Sequence, residues 1–461
     1  MTKLSITAAL VLGASVFVQA ADDLASALAE GKWEKRIRMQ YFLTDWDDNS
    51  IATGKGGKDA TGFAVGGSIL YKTAPLYGFS AALGAYTTLN PGHWTDAKDG
   101  VTATTSLDLF KRAGSQKFYG QGYGVLAQSY LEYDIARIKI KGGRFLMKNP
   151  WIDPNDTKMI PIAVEGAQIV SNDIPNTTIQ VDFADKFKER GEIYFGNMAD
   201  GLDVPNAIRL KYNTHYNLGD DSNGDAPSVI IAGVKNNSIN GLELKAWGMH
   251  WDDLVDQIML EANYAIEAEN VILGFGGRYI QQFDQGAGEL IKPMTNNGDN
   301  DNSIDTSLWA LRATVNYGAA KALVSISETS EDGDMLSPWR GFSTGEYTRS
   351  KTITDWNANT KSLKILGEYD FDELVPGLSA IISYSHYNRD PSKKPYTSAT
   401  NRGFANGDTD QWNLDIIQKL SGNFEGIELK ARFMDQDNKP TASYPKQTSN
   451  REMRLEANYR F

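Results

Sequence analysis

Residues Arg451 to Phe461 read REMRLEANYRF. Met453, Leu455, Ala457, Tyr459 and Phe461 fall on one side of an extended chain, and Glu452, Arg454, Glu456, Asn458 and Arg460 on the other. This is strict period-two alternation. One face suits a hydrocarbon solvent and the other needs water, as in the wall of a water-filled membrane barrel. A half-buried antiparallel strand in a soluble protein alternates in the same way, so the choice rests on the rest of the chain.

The opposite end supplies a compartment. Lys3 is a positive n-region, Leu4 to Val18 an apolar run, and Val18-Gln19-Ala20 a small-residue cleavage site, the pattern of a secretory signal peptide. Cleavage after Ala20 divides the chain into a signal peptide (1–20), a short periplasmic segment (21–31) and a transmembrane β-barrel (32–461). No later run of 18 or more apolar residues reads as a membrane helix. The chain has no cysteine, so disulfide staples and thiolate chemistry are excluded. Its 43 glycines, 21 tyrosines, 18 phenylalanines and 10 tryptophans accompany a polar mean hydropathy of −0.40. Many half-apolar strands bounded by aromatic girdles explain that combination. A net charge of −12 argues against nucleic acid as a partner, though not against anionic solutes.

Asp22 to Gly31 reads as a short helix at the periplasmic mouth, with Gly31 as its stop. A first strand runs from Trp33 to Leu43, with Ile37, Met39 and Tyr41 outward and Arg36, Arg38 and Gln40 inward. Tight turns then alternate with long polar loops, giving about 18 antiparallel strands. An even count places both termini on the short-turn, periplasmic side. Residues 187–227 read as one long folded loop, because an odd strand would break closure. No motif recurs at the 40-residue period of a propeller. Nor do linkers divide the chain as in a large soluble sandwich.

The inward faces are basic at particular strands. The fifth strand carries Arg137, Lys139 and Lys141 on one face, and a bulge at Gly142-Gly143 is expected to turn Arg144 inward as well. The first strand adds Arg36 and Arg38, the seventeenth Lys430 and Arg432, and the closing strand Arg454 and Arg460. These are candidate rungs for passing an oxyanion between cationic groups. Alternatively they neutralise the inward acids Glu132, Glu428, Glu452 and Glu456. Asp153, Asp156 and Glu165, with Lys158 among them, follow the fifth strand in a stretch read as a loop folding into the lumen. Their carboxylates would then oppose the basic wall and set up a transverse field. Glu331, Asp332 and Asp334, before Pro338 and Trp339, are candidates for the same role. His93, His215, His250 and His386 lack metal-ligand spacing, and no residue set calls for a catalytic triad, a metal or a cofactor.

Three blocks resemble the OprD-like outer-membrane porins, the carboxylate-specific channel family: Gly62 to Thr88, Gly143 to Gly166 (GRFLMKNPWIDPNDTKMIPIAVEG) and Asn359 to Ser379. The likeness extends from Leu24 to Phe461, and the aromatic terminus resembles the signal by which barrel-assembly machinery recognises its clients. The resemblance implies an 18-stranded pore, monomeric or in a loose trimer, set in outer-membrane lipid and lipopolysaccharide. It implies constriction by the loop after the fifth strand and by the later loop around Ser337 to Arg340, Trp339 included, with a basic ladder leading to it. Family members pass small carboxylates or basic amino acids and peptides. Two departures lie in the expected eyelet. Lys158 stands where the family usually has arginine, and Ile162-Ala163-Val164 replaces a more polar run. The expected function is passive, selective diffusion of small hydrophilic solutes. A general porin and a surface adhesin are the alternatives.

Overall fold

The computed structural model describes residues 21–47, 59–92, 108–111, 121–201, 204–212, 226–295, 304–339, 347–351, 356–390, 393, 407–440 and 449–461. The expected signal peptide lies outside them, as does Arg340. Helix α1 (Leu24–Ala29) is capped by Asp23, whose carboxylate accepts from the Ser26 amide at 2.8 Å. The strands follow: β1 (Lys32–Trp46), β2 (Ala60–Lys72), β3 (Phe79–Leu89), β4 (Tyr123–Ile135), β5 (Ile138–Phe145), β6 (Ala163–Ser171), β7 (Thr177–Lys188) and the two-residue β8 (Gly196–Asn197). Helix α2 (Asn206–Lys211) precedes β9 (Val229–Ile239), β10 (Leu242–Trp251), β11 (Val255–Ala268) and β12 (Val271–Asp284). Helix α3 (Ala287–Thr295) leads to β13 (Thr306–Tyr317), β14 (Ala320–Thr329), β15 (Thr360–Asp370), β16 (Leu378–Asn388), β17 (Thr409–Lys419), β18 (Ile427–Asn438) and β19 (Asn450–Arg460).

Neighbouring strands pair antiparallel in sequence order, and β1 pairs with both β2 and β19, which closes the barrel. Eighteen strands span the wall. The nineteenth, β8, only meets Lys186 and Phe187 at the end of β7. The described residues between β7 and β9 add no spanning strand, and AIRLKY, a β-like run by sequence, lies largely within α2.

Burial is inverted relative to a soluble protein. On the seam strands Ile37, Met39 and Leu455 are 46%, 44% and 43% exposed, whereas Arg38, Glu456 and Asn458 are 3%, 8% and 3% exposed. Apolar side chains thus face the outside of the cylinder and polar ones line it, the arrangement required when lipid surrounds the wall. Trp33 with Tyr71, Phe79 with Tyr133, and Tyr459 with Phe461 pair their rings at 4.6, 4.3 and 4.8 Å near the short-turn end, forming part of an aromatic girdle. Closure reaches the last residue: the amides of Lys35 and Phe461 donate to each other's carbonyls at 3.3 and 3.1 Å.

The bulge expected at Gly142-Gly143 is absent, because pairing runs without a shift through both glycines on the β4 and β6 sides. Gly143 is needed there for another reason. Its φ is +121°, and a Cβ would lie 2.4 Å from the Ser129 carbonyl oxygen. Register shifts fall instead at Ala127 in β4 and Asp185 in β7, the residues skipped there, and between Leu242 and Leu244 of β10 where it pairs with β9.

Candidate functional site

Inside the wall, two apolar clusters narrow the lumen. The larger joins Trp151 and Ile152 of the β5–β6 loop, Met198 and Ile208 of the β7–β9 segment and Leu336 and Trp339 of the β14–β15 loop to inward residues such as Trp251 and Ile280. The loops are stitched as well as packed. Ile152 bridges Trp339 in parallel, the Trp339 indole donates to the Met198 carbonyl at 2.8 Å, and Gln257 donates to the Leu336 carbonyl at 2.7 Å. Trp339 is therefore a fully buried anchor rather than a pore-lining group. Trp339→Ala removes an indole whose ring lies tilted against that of Trp251 at 4.8 Å and is expected to cost about 3–5 kcal/mol of packing. Single-channel recording should then show a larger, noisier conductance. The smaller cluster gathers Phe42, Tyr86, Phe110 and Met159 beside β1 to β4.

Where the β5–β6 loop crosses to the opposite wall, it meets the closing seam. Asp156 accepts from Arg36 at 2.5 Å and Arg38 at 2.9 Å. Arg38 also donates to the Lys158 carbonyl and, through Nε, to Asn458 at 2.6 Å, and Gln40 donates to the Thr157 carbonyl at 2.9 Å. Asp156 does not face the basic wall across an opening, as expected from the sequence, but is bonded to it. Asp153 serves its own loop by accepting from the Asn155 amide at 2.6 Å. Asp334 is buried and accepts from the Ala358 amide at 2.7 Å. Neither supplies the opposing acid.

Lys158 reaches the seam with its ammonium 3.6 Å from the centre of the Phe42 ring, and the Arg454 guanidinium lies 4.6 Å from the same ring. Burial pushes the Lys158 ammonium well below the ordinary lysine range. Arg454 and Arg190 add repulsion, while Glu452 and Glu456 partly oppose the shift. The register explains the convergence, since Phe42 pairs with Arg454 across β1–β19 and Arg454 with Arg432 across β19–β18. Arg454 donates to Glu452 at 2.5 Å. Arg432 lies 3.3 Å from Asp415 and 3.7 Å from Glu456, and Lys430 lies 3.9 Å from Glu428.

The remaining expected rungs divide. Lys139 and Lys141, with Lys72, ring the buried Glu132 at 3.1, 3.6 and 2.5 Å. Arg137 occupies the β4–β5 turn, exposed at the rim, and Arg460 is exposed opposite Arg36. Arg144 is not inward: without the bulge it shares the face of Ile140, opposite to that of Lys139 and Lys141. There its guanidinium is held by Glu165 at 2.7 Å and lies 4.4 Å from the Phe195 ring. Glu165 itself is a β6 residue, not a loop acid.

Several lining groups escaped the sequence reading. Lys351, from the β14–β15 loop, leans onto Asp415. Ser325, Ser362 and Ser385 present buried hydroxyls, and Asn413 a side-chain oxygen, with no hydrogen-bond partner among the described residues. Buried polar atoms are rarely left so unless solvent or solute serves them. Ser325-x-Ser327 and Ser383-x-Ser385, with serines at alternate strand positions, were the available signal.

A family model for the outer membrane porin, OprD family, matches residues 104–461. The chain belongs to the OprD family of outer-membrane porins. It is accordingly a porin, a channel of the bacterial outer membrane. Similar solved structures agree on the fold. OccAB3 of Acinetobacter baumannii is 17% identical with a TM-score of 0.72, over 94% of this chain and 99% of that one. Pseudomonas aeruginosa OpdK, solved with vanillate, is 14% identical with a TM-score of 0.73 over 94% and 99%. OccK9 of the same species is 14% identical with a TM-score of 0.74 over 95% and 99%. A search of curated protein sequences returns no match.

Proposed function

We propose that this OprD-family porin passes small anions, carboxylates foremost, along the wall formed by β17, β18, β19 and β1. The observation that carries the reading is the concentration of cationic groups there. Arg432 and Arg454 stand opposite each other on the wall, and Lys158 and Lys351 lean in from two different loops. Each guanidinium already has an acid neighbour, so the wall offers weak, repeated sites rather than one deep trap, as conduction requires. The unpartnered hydroxyls of Ser325, Ser362 and Ser385 extend the polar lining onto β14 to β16. The vanillate bound to OpdK is a carboxylate of the class proposed. Lys72, Lys139 and Lys141 around Glu132 serve as the periplasmic exit. Phe461 and the closing strand present the chain to barrel-assembly machinery, and lipopolysaccharide surrounds the outer rim.

Block of ion current by a panel of carboxylates, amino acids and sugars tests this reading in planar bilayers. Arg432→Gln with Arg454→Gln should weaken carboxylate block by roughly tenfold, the factor for losing one charge-assisted hydrogen bond of about 1.5 kcal/mol. Sugar permeation should stay unchanged in liposome swelling. Equal block by sugars and carboxylates in the unsubstituted channel would instead mark a general porin.

A further inference from the structure

Helix α1 carries a surface that the barrel does not cover. Its sequence, LASALA, has one polar side chain, Ser26. Only Ala27 is buried, against Ala21, Ala74 and Leu76. Leu24 and Leu28, one turn apart, are 65% and 52% exposed, and Ala25 and Ala29 beside them are exposed too. A helix of six residues is not stable in water by itself. This one is tied down by the Asp23 cap, by the Ala74 amide donating to the Ala27 carbonyl at 3.0 Å, and by the Tyr71 hydroxyl donating to the Leu28 carbonyl. Tyr71 fixes the side of the rim on which the helix lies. It shares a face with the lipid-facing Ile69, and its ring meets that of Trp33, its register partner in β1. The helix is thus held from the outward girdle, next to exposed Trp33, Tyr77 and Phe79.

We propose that α1 is an interfacial anchor whose Leu24–Leu28 face lies in the phospholipid of the periplasmic leaflet. The apolar surface is continuous with the lipid-facing girdle, which identifies the occupant. Asp22, Asp23 and Glu30 flank the face and are exposed, so apolar insertion rather than charge attraction holds the helix at the interface.

Because the chain lacks cysteine, Leu24→Cys, Leu28→Cys, Glu30→Cys and the wall control Leu83→Cys each provide one site for an environment-sensitive fluorophore. The labelled full-length barrels are reconstituted in phosphatidylcholine vesicles with and without a brominated phosphatidylcholine. Probes at 24 and 28 should be quenched by the brominated lipid to roughly half the extent seen at 83 or more, and be shielded from aqueous iodide. The probe at 30 should be quenched by iodide. Iodide access at 24 and 28 without lipid quenching overturns the proposal. Shielding from both quenchers does so as well, since it means that protein covers the face. If one substitution prevents folding, judged by heat-modifiable gel mobility, the other leucine position carries the same test.

Discussion

Asp156→Asn turns the channel more anion-selective and makes its current unsteady. In the native protein the Asp156 carboxylate is shared by Arg36 and Arg38, so the β5–β6 loop neutralises part of the wall while being fastened to it. The amide removes one negative charge from the eyelet and leaves two guanidiniums with a weaker acceptor. Removing one partner of a fully buried ion pair costs about 3–5 kcal/mol. Asp156 is 35% exposed, and pore water screens the pair, so the loss here is on the order of 1–3 kcal/mol. That is enough to change the balance between a docked and an undocked loop by roughly tenfold. The Lys158 and Thr157 carbonyls still accept from Arg38 and Gln40, so the loop loosens without leaving the lumen. Reversal potentials in a salt gradient should move toward the anion limit, and fluctuations between conductance levels should become roughly ten times more frequent. An unchanged reversal potential with a quiet current would show that the Asp156 contacts do not govern the pore.

Selectivity should also depend on pH, through Lys158. Its pKa lies well below the ordinary lysine value of 10.5, chiefly because the ammonium is buried. At pH below that lowered value the group is charged and adds to the anion-attracting wall. As pH rises through it, still below the ordinary lysine range, the charge is lost and anion preference falls. The change therefore runs from more to less anion-selective with increasing pH. Lys351 titrates in the same direction, its ammonium also lowered by burial although Asp415 opposes the shift, so the effect has to be assigned by substitution. Lys158→Arg keeps a cation over Phe42 at every accessible pH. It should remove the Lys158 part of the profile below the ordinary lysine range and leave the part due to Lys351, while Lys158→Met should be less anion-selective at low pH and match the wild type once Lys158 is neutral. A wild-type profile that coincides with that of Lys158→Arg removes Lys158 as the source.

The inward placement of Arg36, Arg38, Lys139, Lys141, Arg432 and Arg454 was legible because each lies within an alternating strand whose other face is apolar. Arg144 was misplaced because two adjacent glycines can mark either a bulge or a close backbone approach, and only pairing with β4 and β6 distinguishes them. Lys72 was missed since its role depends on Glu132, 60 residues away. The serines of β14 to β16 were missed because a small polar residue on a strand has no meaning until one knows what crosses the lumen beside it.

The amino-acid sequence by itself determined the barrel, its even number of spanning strands, the side on which the termini lie and the face each strand shows to lipid. A wall between two solvents imprints its period on every strand, and that mark is local. Only the tertiary structure decided what the lumen contains. Asp156 meets Arg36 and Arg38 across about 120 positions, Trp339 closes on Met198 across 141, and the closing register sets Arg454 over Phe42. Such partners are chosen by loop path and strand register, long-range contacts that leave no periodic trace along the chain.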